Sequence, residues 1–327
     1  MHVLINLCTI AISLLSLPFT YAAKYNLVDE FAGQSFFDKF DFYGSYDNLT
    51  WGDVNYLDKG SAMSKKLATV NSAGNAVMKV ATDYVAWNEK RDSIRITTEH
   101  SYPIGTVWIT DVVHMPFGCS VWPAIWTTGE TWPDQGEIDI LEGINLYQSN
   151  HMALHTRENC KHSTSVSQTG ESGGNDCSTD AGCQVEDKDL RSYGEGFNQA
   201  GGGVYATEFS QNGINIWFWS RDNIPSSIGS SGDSIESQDD WGTPVANYPS
   251  GSECDISKSF GPQKFIYNIS LCGGWARNPS FYQPQCGWRG SLKDENACYN
   301  DNVVGDGSNY NEAYFEVKYL RAYAASG

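Results

Sequence analysis

Three carboxylic acids stand close together in an otherwise apolar segment. Glu137, Asp139 and Glu142 belong to the run GEIDILEG at 136–143. Side chains alternate between the two faces of a β-strand, so Glu137 and Asp139 share one face and the isoleucines between them point the other way. Glu142 is out of phase, and it joins the acidic face only if a β-bulge near Ile140-Leu141 adds one residue. The sequence therefore predicts a bulged strand with three acids on one surface.

Crowded carboxyl groups cannot all ionise at low cost, so at least one of the three is expected to keep its proton. A protonated carboxyl can donate to a leaving glycosidic oxygen while an ionised neighbour attacks the anomeric carbon, as in retaining glycosidases. The alternative is a solvated acidic strand face. We disfavour it because apolar residues flank each acid and tryptophans precede the segment.

Tryptophans are concentrated just before the acids, in VWPAIW at 121–126 and at Trp132. Indole rings stack on the apolar faces of sugars, so this neighbourhood favours carbohydrate, although we expect one or two of these rings to be core. His155, in the run LHT at 154–156, has two interpretations that the sequence leaves open. It is either a structural hydrogen-bonding partner or a polar group in the cleft.

The composition limits the classes of partner. The 327 residues include 39 Asp or Glu against 21 Lys or Arg, a net charge of -18. Nucleic acid and anionic membrane surfaces are therefore poor partners. With 32 glycines, 13% aromatic and only 18% charged residues, the chain is typical of a turn-rich all-β protein.

The N-terminus is interpreted as a secretory signal peptide. The first 23 residues contain no Asp, Glu, Lys or Arg, and their apolar run is too short to span a bilayer. We expect a leader of residues 1–22, with cleavage after Ala22 or Ala23, followed by one domain over 23–327. This predicts a secreted, extracellular protein.

Removal of the leader leaves an even number of cysteines, which in an oxidising compartment favours four disulfides. Pairing remains open, with sequence neighbours as the first guesses: Cys286 with Cys298, and Cys160 with Cys177 or Cys183. No cysteine or histidine spacing matches a zinc site, so no metal ligands are predicted, and the sequence leaves open whether a structural cation binds. Of the two glycosylation sequons, Asn48 lies in a polar turn and is a better candidate than Asn268, which falls in a strand pattern.

Short strand patterns dominate the chain, without a long helical stripe, an internal repeat or a linker between two hydrophobic halves. In residues 265–272 the odd positions are apolar. Near the end of the chain, the same alternation places Phe315, Val317 and Tyr319 on one face. The segment 214–219 is expected to have core behind it and a packed or sugar-facing surface in front. Residues 157–203 are interpreted as a long surface excursion pinned by disulfides.

These motifs together resemble a known family. The spacing E-x-D-x-x-E, preceded by HMPFGC at 114–119 and VWPAIW, is similar to that of the fungal laminarinase-type branch of glycoside hydrolase family 16. SIRI at 93–96 and CGGWA at 272–276 extend the resemblance, which covers essentially the whole chain from Lys24.

The resemblance implies a β-jelly-roll sandwich of two antiparallel sheets with a concave substrate cleft. It implies retaining hydrolysis of β-1,3- or mixed β-1,3/1,4-glucan. The leading hypothesis is thus an endo-β-glucanase, which we expect to be a monomer that needs no cofactor. By position in the motif, Glu137 is the nucleophile, Glu142 the general acid and then base, and Asp139 the acid that hydrogen-bonds the nucleophile.

Further residues match cleft-lining positions of the family: Arg95, Trp126, Trp132, His155 and Trp275. The sequence departs from the family pattern in two places. Arg277 stands where a small residue is expected, and the span between Cys160 and Cys183 is rich in insertions.

Two alternatives accompany the endo-glucanase hypothesis. A cell-wall transglycosylase of the same family would pass the sugar to another sugar, but such relatives generally have the shorter spacing E-x-D-x-E. A non-catalytic glucan-binding protein on the same fold would lack the acids, and their presence argues against it.

Overall fold

The computed structural model describes residues 24–229, 232–236 and 238–326. The expected leader, residues 1–22 with the alternative cleavage position Ala23, lies outside the described residues, so the structure does not bear on it.

Strands make up most of the regular structure. They are β1 (Tyr25–Ala32), β2 (Phe40–Phe42), β3 (Val54–Tyr56), β4 (Ala68–Val70), β5 (Ala76–Lys79), β6 (Arg91–Ser93), β7 (Arg95–Thr98), β8 (Thr106–His114), β9 (Val121–Thr128), β10 (Glu137–Glu142), β11 (His151–His155), β12 (Glu171–Ser172), β13 (Cys183–Glu186), β14 (Gly203–Ser210), β15 (Gly213–Ser220), β16 (Ser234–Ile235), β17 (Ala246–Pro249), β18 (Lys264–Leu271) and β19 (Tyr314–Ala325).

The helices are short and lie in the connections. They are α1 (Lys59–Ser64), α2 (Gly194–Gln199), α3 (Ser226–Gly229), α4 (Ile256–Ser259), α5 (Pro279–Cys286) and α6 (Asn296–Cys298), with 3-10 turns at Gly33–Ser35 and Ser308–Tyr310 and a π-helical turn at Tyr299–Val303. Of the helices in the described part of the chain, none has the length and apolar character needed to cross a bilayer.

The strands form two large sheets. The nine-stranded sheet has the order β16-β1-β19-β8-β14-β15-β17, with β5 beside β19 and β4 beside β5. The eight-stranded sheet has the order β12-β13-β11-β10-β9-β18-β7-β2, and β3 and β6 form a small parallel pair. Strand pairs in both large sheets, such as β9 with β18 and β8 with β14, are antiparallel. The prediction of an all-β fold with two antiparallel sheets is confirmed.

The main core lies between the two sheets. The central strand β18 contributes Phe265, Tyr267 and Ile269, each fully buried, so the alternation predicted for this segment is confirmed. Burying such a side chain stabilises the fold by about 1.5–3 kcal/mol relative to exposure. The other face of β18 carries Ile266 and Asn268, which point to the face that bears the acids.

A second apolar cluster covers the outer face of the nine-stranded sheet. Trp217 of β15 packs against Trp241 with ring centroids 5.1 Å apart, and Ile228 and Ile235 complete the cover. The front of the 214–219 segment, for which the sequence allowed either role, is therefore a packed surface at Trp217.

The phase predicted for the end of the chain is wrong at Tyr319. Phe315 and Val317 are buried in the main core, but a register shift between Val317 and Tyr319 adds one residue to β19. Leu320 then takes the inward position, and Tyr319 packs against the outer cluster. A β-bulge reverses the facing of every residue that follows it.

The described residues contain four disulfides, as the cysteine count predicted, but the first guesses at their pairing are wrong. The bonds join Cys119 with Cys286, Cys160 with Cys254, Cys177 with Cys183, and Cys272 with Cys298. Three of the four pairs link segments that are 26 to 167 residues apart. Proximity along the chain was misleading because the two-sheet fold brings distant loops together.

The excursion at 157–203 is more ordered than the sequence suggested. It contains β12 and β13, which extend the eight-stranded sheet beyond β11, and it ends in α2. The prediction that disulfides anchor this segment is confirmed. Cys177 pairs with Cys183 within the segment, and Cys160 pairs with Cys254, which lies outside it. This segment therefore widens the sheet that carries the acids.

Candidate active site

The acidic strand β10 has the bulge that the sequence predicted. Asp139 pairs with Trp126 and Leu141 pairs with Ile125, so Ile140 has no counterpart on β9. The apolar side chains at 138, 140 and 141 are all buried in the main core. Glu142 is therefore brought back to the face that Glu137 and Asp139 occupy, which we call the cleft face.

Asn150 holds the bulge in place. Its side-chain nitrogen donates to the carbonyl oxygen of Ile140 at 2.7 Å, and its oxygen accepts from the backbone N–H of Glu142 at 2.8 Å. Both backbone groups lie where the bulge interrupts the ladder, and a buried unpaired amide group would cost about 1–3 kcal/mol. The fully buried Asn150 therefore fixes the orientation of Glu142. The sequence offered no signal for this role, because Asn150 lies in the irregular segment just before β11 and belongs to no motif.

Burial raises the pKa of each acid in the cluster. The pKa of Glu137 is raised well above its ordinary value by burial and then by the charge of Asp139. Burial likewise raises the pKa of Asp139, against a hydrogen bond with Glu137 that lowers it. Burial and then the charge of Asp139 raise the pKa of Glu142 to about 8. The cluster therefore retains protons at neutral pH, the condition that general-acid catalysis requires.

His155 of β11 lies on the cleft face beside the acids. It is the register partner of Glu137, and its Nε2 lies 3.3 Å from Oδ2 of Asp139. Gly182, with φ of 66°, packs against the imidazole so closely that a Cβ there would come within 2.9 Å of the ring. Of the two interpretations left open for His155, the structure favours a polar group of the cleft held by the segment that Cys177 and Cys183 close.

Glu137, Asp139 and His155 each offer one potential metal ligand, and these atoms lie within 4.8 Å of one another. Carboxylate and imidazole groups suit several divalent cations. The absence of a metal requirement therefore stays a prediction.

Trp132 projects from the loop before β10 and is 60% exposed. Its side chain lies close enough to Glu137 to lower the pKa of that acid, against the larger effect of burial. An exposed indole in contact with an acid of the cluster is available to stack on a sugar. Trp132 is therefore not one of the core tryptophans.

Trp126 and Arg95 form part of the floor of the cleft face. Trp126 is only 8% exposed and donates its indole N–H to Oδ1 of Asn268 at 2.6 Å. The guanidinium of Arg95 lies between the rings of Tyr43 and Trp126, at 4.5 and 5.2 Å from their centroids. Its Nε is buried without a hydrogen-bond partner among the described residues. The two aromatic rings therefore fix the position of Arg95, and its Nε–H remains available as a hydrogen-bond donor.

The two sequons differ in accessibility. Asn48 is exposed, as its polar turn suggested. Asn268 is 9% exposed and engaged by Trp126, so it contributes to the cleft floor rather than to the protein surface.

Trp122 is a residue of the site that the sequence analysis did not single out. Its indole N–H donates to Oε1 of Glu142 at 2.8 Å, and this bond lowers the pKa of Glu142 against the larger effect of burial. Trp275 packs edge-on against Trp122 at 5.5 Å. The signal was available, because Ala124 pairs with Glu142 and Trp122 lies two residues further along the same face of β9.

Comparison with known proteins gives a family match over most of the chain. A family model described as an XgeA-like, catalytic GH16 domain matches residues 40–323. A probable glycosidase of Schizosaccharomyces pombe is 38% identical over 312 residues, which are 93% of this chain and 70% of the relative. An endo-1,3(4)-beta-glucanase of Arthroderma benhamiae is 37% identical over 316 residues, 92% of this chain and 65% of the relative.

Other curated relatives are longer. The chain spans 47% of a probable endo-1,3(4)-beta-glucanase of Neosartorya fischeri, at 35% identity.

Two solved structures have the same fold over their full length. Laminarinase 16A of Phanerochaete chrysosporium, with beta-glucans in both donor and acceptor sites, superposes with a TM-score of 0.83 at 34% identity. An elongating GH family 16 beta-1,3-glucosyltransferase superposes with a TM-score of 0.83 at 37% identity. Each match covers 92% of this chain and 100% of the other.

Proposed function

The chain belongs to glycoside hydrolase family 16, and from this membership and its acid cluster we propose that it is a retaining endo-β-glucanase. Its substrate is β-1,3-glucan, mixed β-1,3/1,4-glucan or both. The single observation that carries the proposal is the bulge at Ile140, because it places Glu142 on the same face as Glu137 with Asp139 between them. A regular strand would turn Glu142 into the core.

In the first step, Glu137 attacks the anomeric carbon as the carboxylate and forms a glycosyl-enzyme ester. Burial and Asp139 raise the pKa of Glu137, whereas the neighbouring His155 and the Trp132 side chain lower it and so favour this ionised form. The glycosidic C–O bond breaks, and the carboxyl proton of Glu142 passes to the departing oxygen. The raised pKa of Glu142 keeps that proton available near neutral pH.

In the second step, Glu142 is ionised and removes a proton from water as the water oxygen attacks the same carbon. The ester bond to Glu137 breaks, and the sugar leaves with its original anomeric configuration. Asp139, next to both glutamates, raises the pKa of each through its charge. Its contact with His155 offers a compensating positive charge when the histidine is protonated.

The substrate class rests on the relatives. The Arthroderma relative is called an endo-1,3(4)-beta-glucanase, and the Phanerochaete laminarinase was solved with 6-O-glucosyl-laminaritriose. Purified protein should be incubated with laminarin, lichenan and cellulose, and the products followed by ¹H NMR from the first turnover. Retention predicts that the new reducing ends appear first as the β-anomer. Initial release of the α-anomer would overturn the mechanism, and no cleavage of any of the three glucans would overturn the function.

Transglycosylation is the second candidate, because the glucosyltransferase at 37% identity shares the fold over its full length. The same glycosyl-enzyme would then react with a sugar hydroxyl instead of water. Incubation with a single laminari-oligosaccharide separates the two. At low oligosaccharide concentration, a transferase gives mainly products longer than the starting oligosaccharide, whereas a hydrolase gives mainly shorter ones.

We propose an extracellular location for this enzyme, as a monomer. The leader pattern of residues 1–22, the four disulfides and the exposed sequon at Asn48 support secretion. Expression in a eukaryotic host with detection in the medium tests the location, and light scattering of the purified product tests the monomer. Retention of the protein inside the cells would contradict secretion.

A further inference from the structure

Trp51 is exposed to a degree that is unusual for so large an apolar side chain. It is 68% exposed, and its backbone has φ of 57°, in the left-handed region that bulky residues rarely adopt. Both properties are unfavourable for folding. Strained residues of this kind persist where the surrounding structure fixes them, often at ligand sites.

The turn that carries Trp51 is firmly held by the buried Asp47. Oδ1 of Asp47 accepts from the backbone N–H groups of Leu49 and Thr50 at 3.1 and 3.0 Å, and its Oδ2 accepts from the hydroxyl of Ser270 at 2.7 Å. The next residue must be Gly52, because a Cβ there would lie 2.1 Å from Oγ of Ser270. The position of Trp51 is therefore set by contacts with the eight-stranded sheet.

Arg277, the residue that departs from the family pattern, fixes the same turn. Its Nη2 donates to the carbonyl oxygen of Trp51 at 2.5 Å and lies 3.2 Å from Oδ2 of Asp53. Its Nε donates to the carbonyl oxygen of Cys272. A small residue at 277 could make none of these bonds. The two unusual residues, Arg277 and Trp51, are thus directly linked.

This turn continues the wall of the cleft that begins at Glu142. Trp122, bound to Glu142, is the register partner of Ser270 on β18. Oγ of Ser270 lies 3.2 Å from Oγ1 of Thr50. At Gly273 the chain lies between Trp122 and Thr50, since a Cβ there would come within 2.8 and 2.9 Å of them. Because β18 is two strands from β10, it lies about 10 Å from the catalytic strand across the sheet, and the turn that contacts Ser270 lies at that distance or beyond.

We propose that Trp51 is a distal stacking subsite for a β-glucan chain, and that Arg277 is a positioning residue that holds it in place. This inference rests on the proposed function. A short oligosaccharide that occupies only the positions over the acids does not reach Trp51, whereas a longer chain does. Trp51 therefore increases the affinity for long chains and leaves the chemical step unchanged.

The test measures binding against chain length in an inactive background. In Glu137→Gln protein, the affinities for laminaritriose and laminariheptaose are determined by calorimetry with and without Trp51→Ala. We expect about three- to tenfold weaker binding of the heptaose, as for loss of one aromatic contact, and an unchanged affinity for the triose. Arg277→Ala should give a smaller loss in the same direction. Equal losses for both sugars, or no loss for the heptaose, would overturn the proposal.

A matched control and a second variant separate binding from folding. Trp87 is another exposed tryptophan, packed on Tyr299 outside the two large sheets, and Trp87→Ala should leave both affinities unchanged. Trp51→Gly relieves the backbone strain, so it should unfold at the same or a higher temperature and still lose affinity for the heptaose. Retained heptaose affinity in Trp51→Gly, or an equal loss in Trp87→Ala, would refute the role of Trp51.

Failure of this inference can be told apart from failure of the proposed function. If the wild-type protein cleaves laminarin and the Trp51 variants bind the heptaose normally, only the distal subsite is wrong. If the wild-type protein neither binds nor cleaves any β-glucan, the proposed function is wrong and the subsite falls with it.

Discussion

The indole N–H of Trp122 donates to Oε1 of Glu142 at 2.8 Å, in a site where burial raises the pKa of that glutamate to about 8. The hydrogen bond stabilises the ionised form and so opposes the effect of burial. Glu142 must be protonated for the first step and ionised for the second. Trp122 therefore tunes a group that has to exist in both states during each turnover.

Replacing Trp122 with Phe should move the alkaline limb of the pH profile to higher pH. The variant loses the donor to the carboxylate, so the pKa of Glu142 rises and the acid keeps its proton to a higher pH. The measurement is kcat/KM against pH on laminarin. Trp126→Phe is the control, because the indole N–H of Trp126 binds Asn268 instead of an acid, and its limb should not move. A shift of the Trp122→Phe limb to lower pH would contradict the account.

Asp139→Asn should move the same limb in the opposite direction. The charge of Asp139 is the second cause, after burial, of the raised pKa of Glu142, and the isosteric amide removes it. The pKa of Glu142 therefore falls, and kcat should fall as well because the amide alters the hydrogen bond with Glu137. As the control, Asp187→Asn removes a buried carboxyl that is not among the groups acting on Glu142. An alkaline limb that stays in place in Asp139→Asn would show that these acids do not titrate as one unit.

Trp132→Ala should weaken substrate binding without unfolding the protein. The side chain is 60% exposed, so we expect the free energy of unfolding to change by no more than about 0.5 kcal/mol. Oligosaccharide binding should weaken by about 1–3 kcal/mol, the scale of losing an aromatic contact. Urea unfolding and calorimetry measure the two quantities. Trp126→Ala, at a buried position, should instead destabilise the fold by about 3–5 kcal/mol. Severe destabilisation by Trp132→Ala would show that this ring is core.

The bulges show how far the sequence alone could go. The bulge at Ile140 was predictable because three acids at this spacing make chemical sense only on one face. The bulge between Val317 and Tyr319 was not predictable, because the alternating pattern Phe-x-Val-x-Tyr is equally compatible with a regular strand and with a bulged one. Here long-range pairing with β8 decided the register, and a local pattern contains no information about it.

The same distinction applies to the rest of the site. The residue types and spacing of Glu137, Asp139 and Glu142 were sufficient to predict that they share one face. The sequence also predicted that some of the tryptophans are core and others line the cleft, and Trp126 is buried whereas Trp132 is exposed. Asn150 and the pairing of Cys160 with Cys254 depend on contacts between distant segments, so no motif announced them. The sequence showed that Arg277 departs from the family pattern, but only the structure shows that this side chain binds the backbone of Trp51.

Glu142→Gln should stabilise the folded protein at alkaline pH. The pKa of Glu142 rises from 4.5 to about 8 on folding, so the folded state binds a proton that the unfolded state has already lost between these values. The free energy of unfolding contributed by this group therefore falls as pH increases from about 4.5 to about 8.

The amide does not ionise, so the variant should gain at least about 1 kcal/mol over the wild type between pH 4 and pH 8.5. Urea unfolding at the two pH values measures the difference, and Glu158→Gln, at an exposed position, should show none. A gain that is the same at both pH values would mean that the effect is unrelated to ionisation of Glu142.

The central claim is that Glu137 is the nucleophile and Glu142 the acid and base. Azide rescue with an activated aryl β-laminaribioside as the substrate tests it most directly. In Glu137→Ala, azide should attack from the vacated side and give the α-glycosyl azide. In Glu142→Ala, Glu137 still forms the glycosyl-enzyme, and azide should give the β-glycosyl azide. ¹H NMR of the anomeric proton distinguishes the two products. The account predicts these anomers, whereas the reverse assignment, β from Glu137→Ala and α from Glu142→Ala, would contradict it.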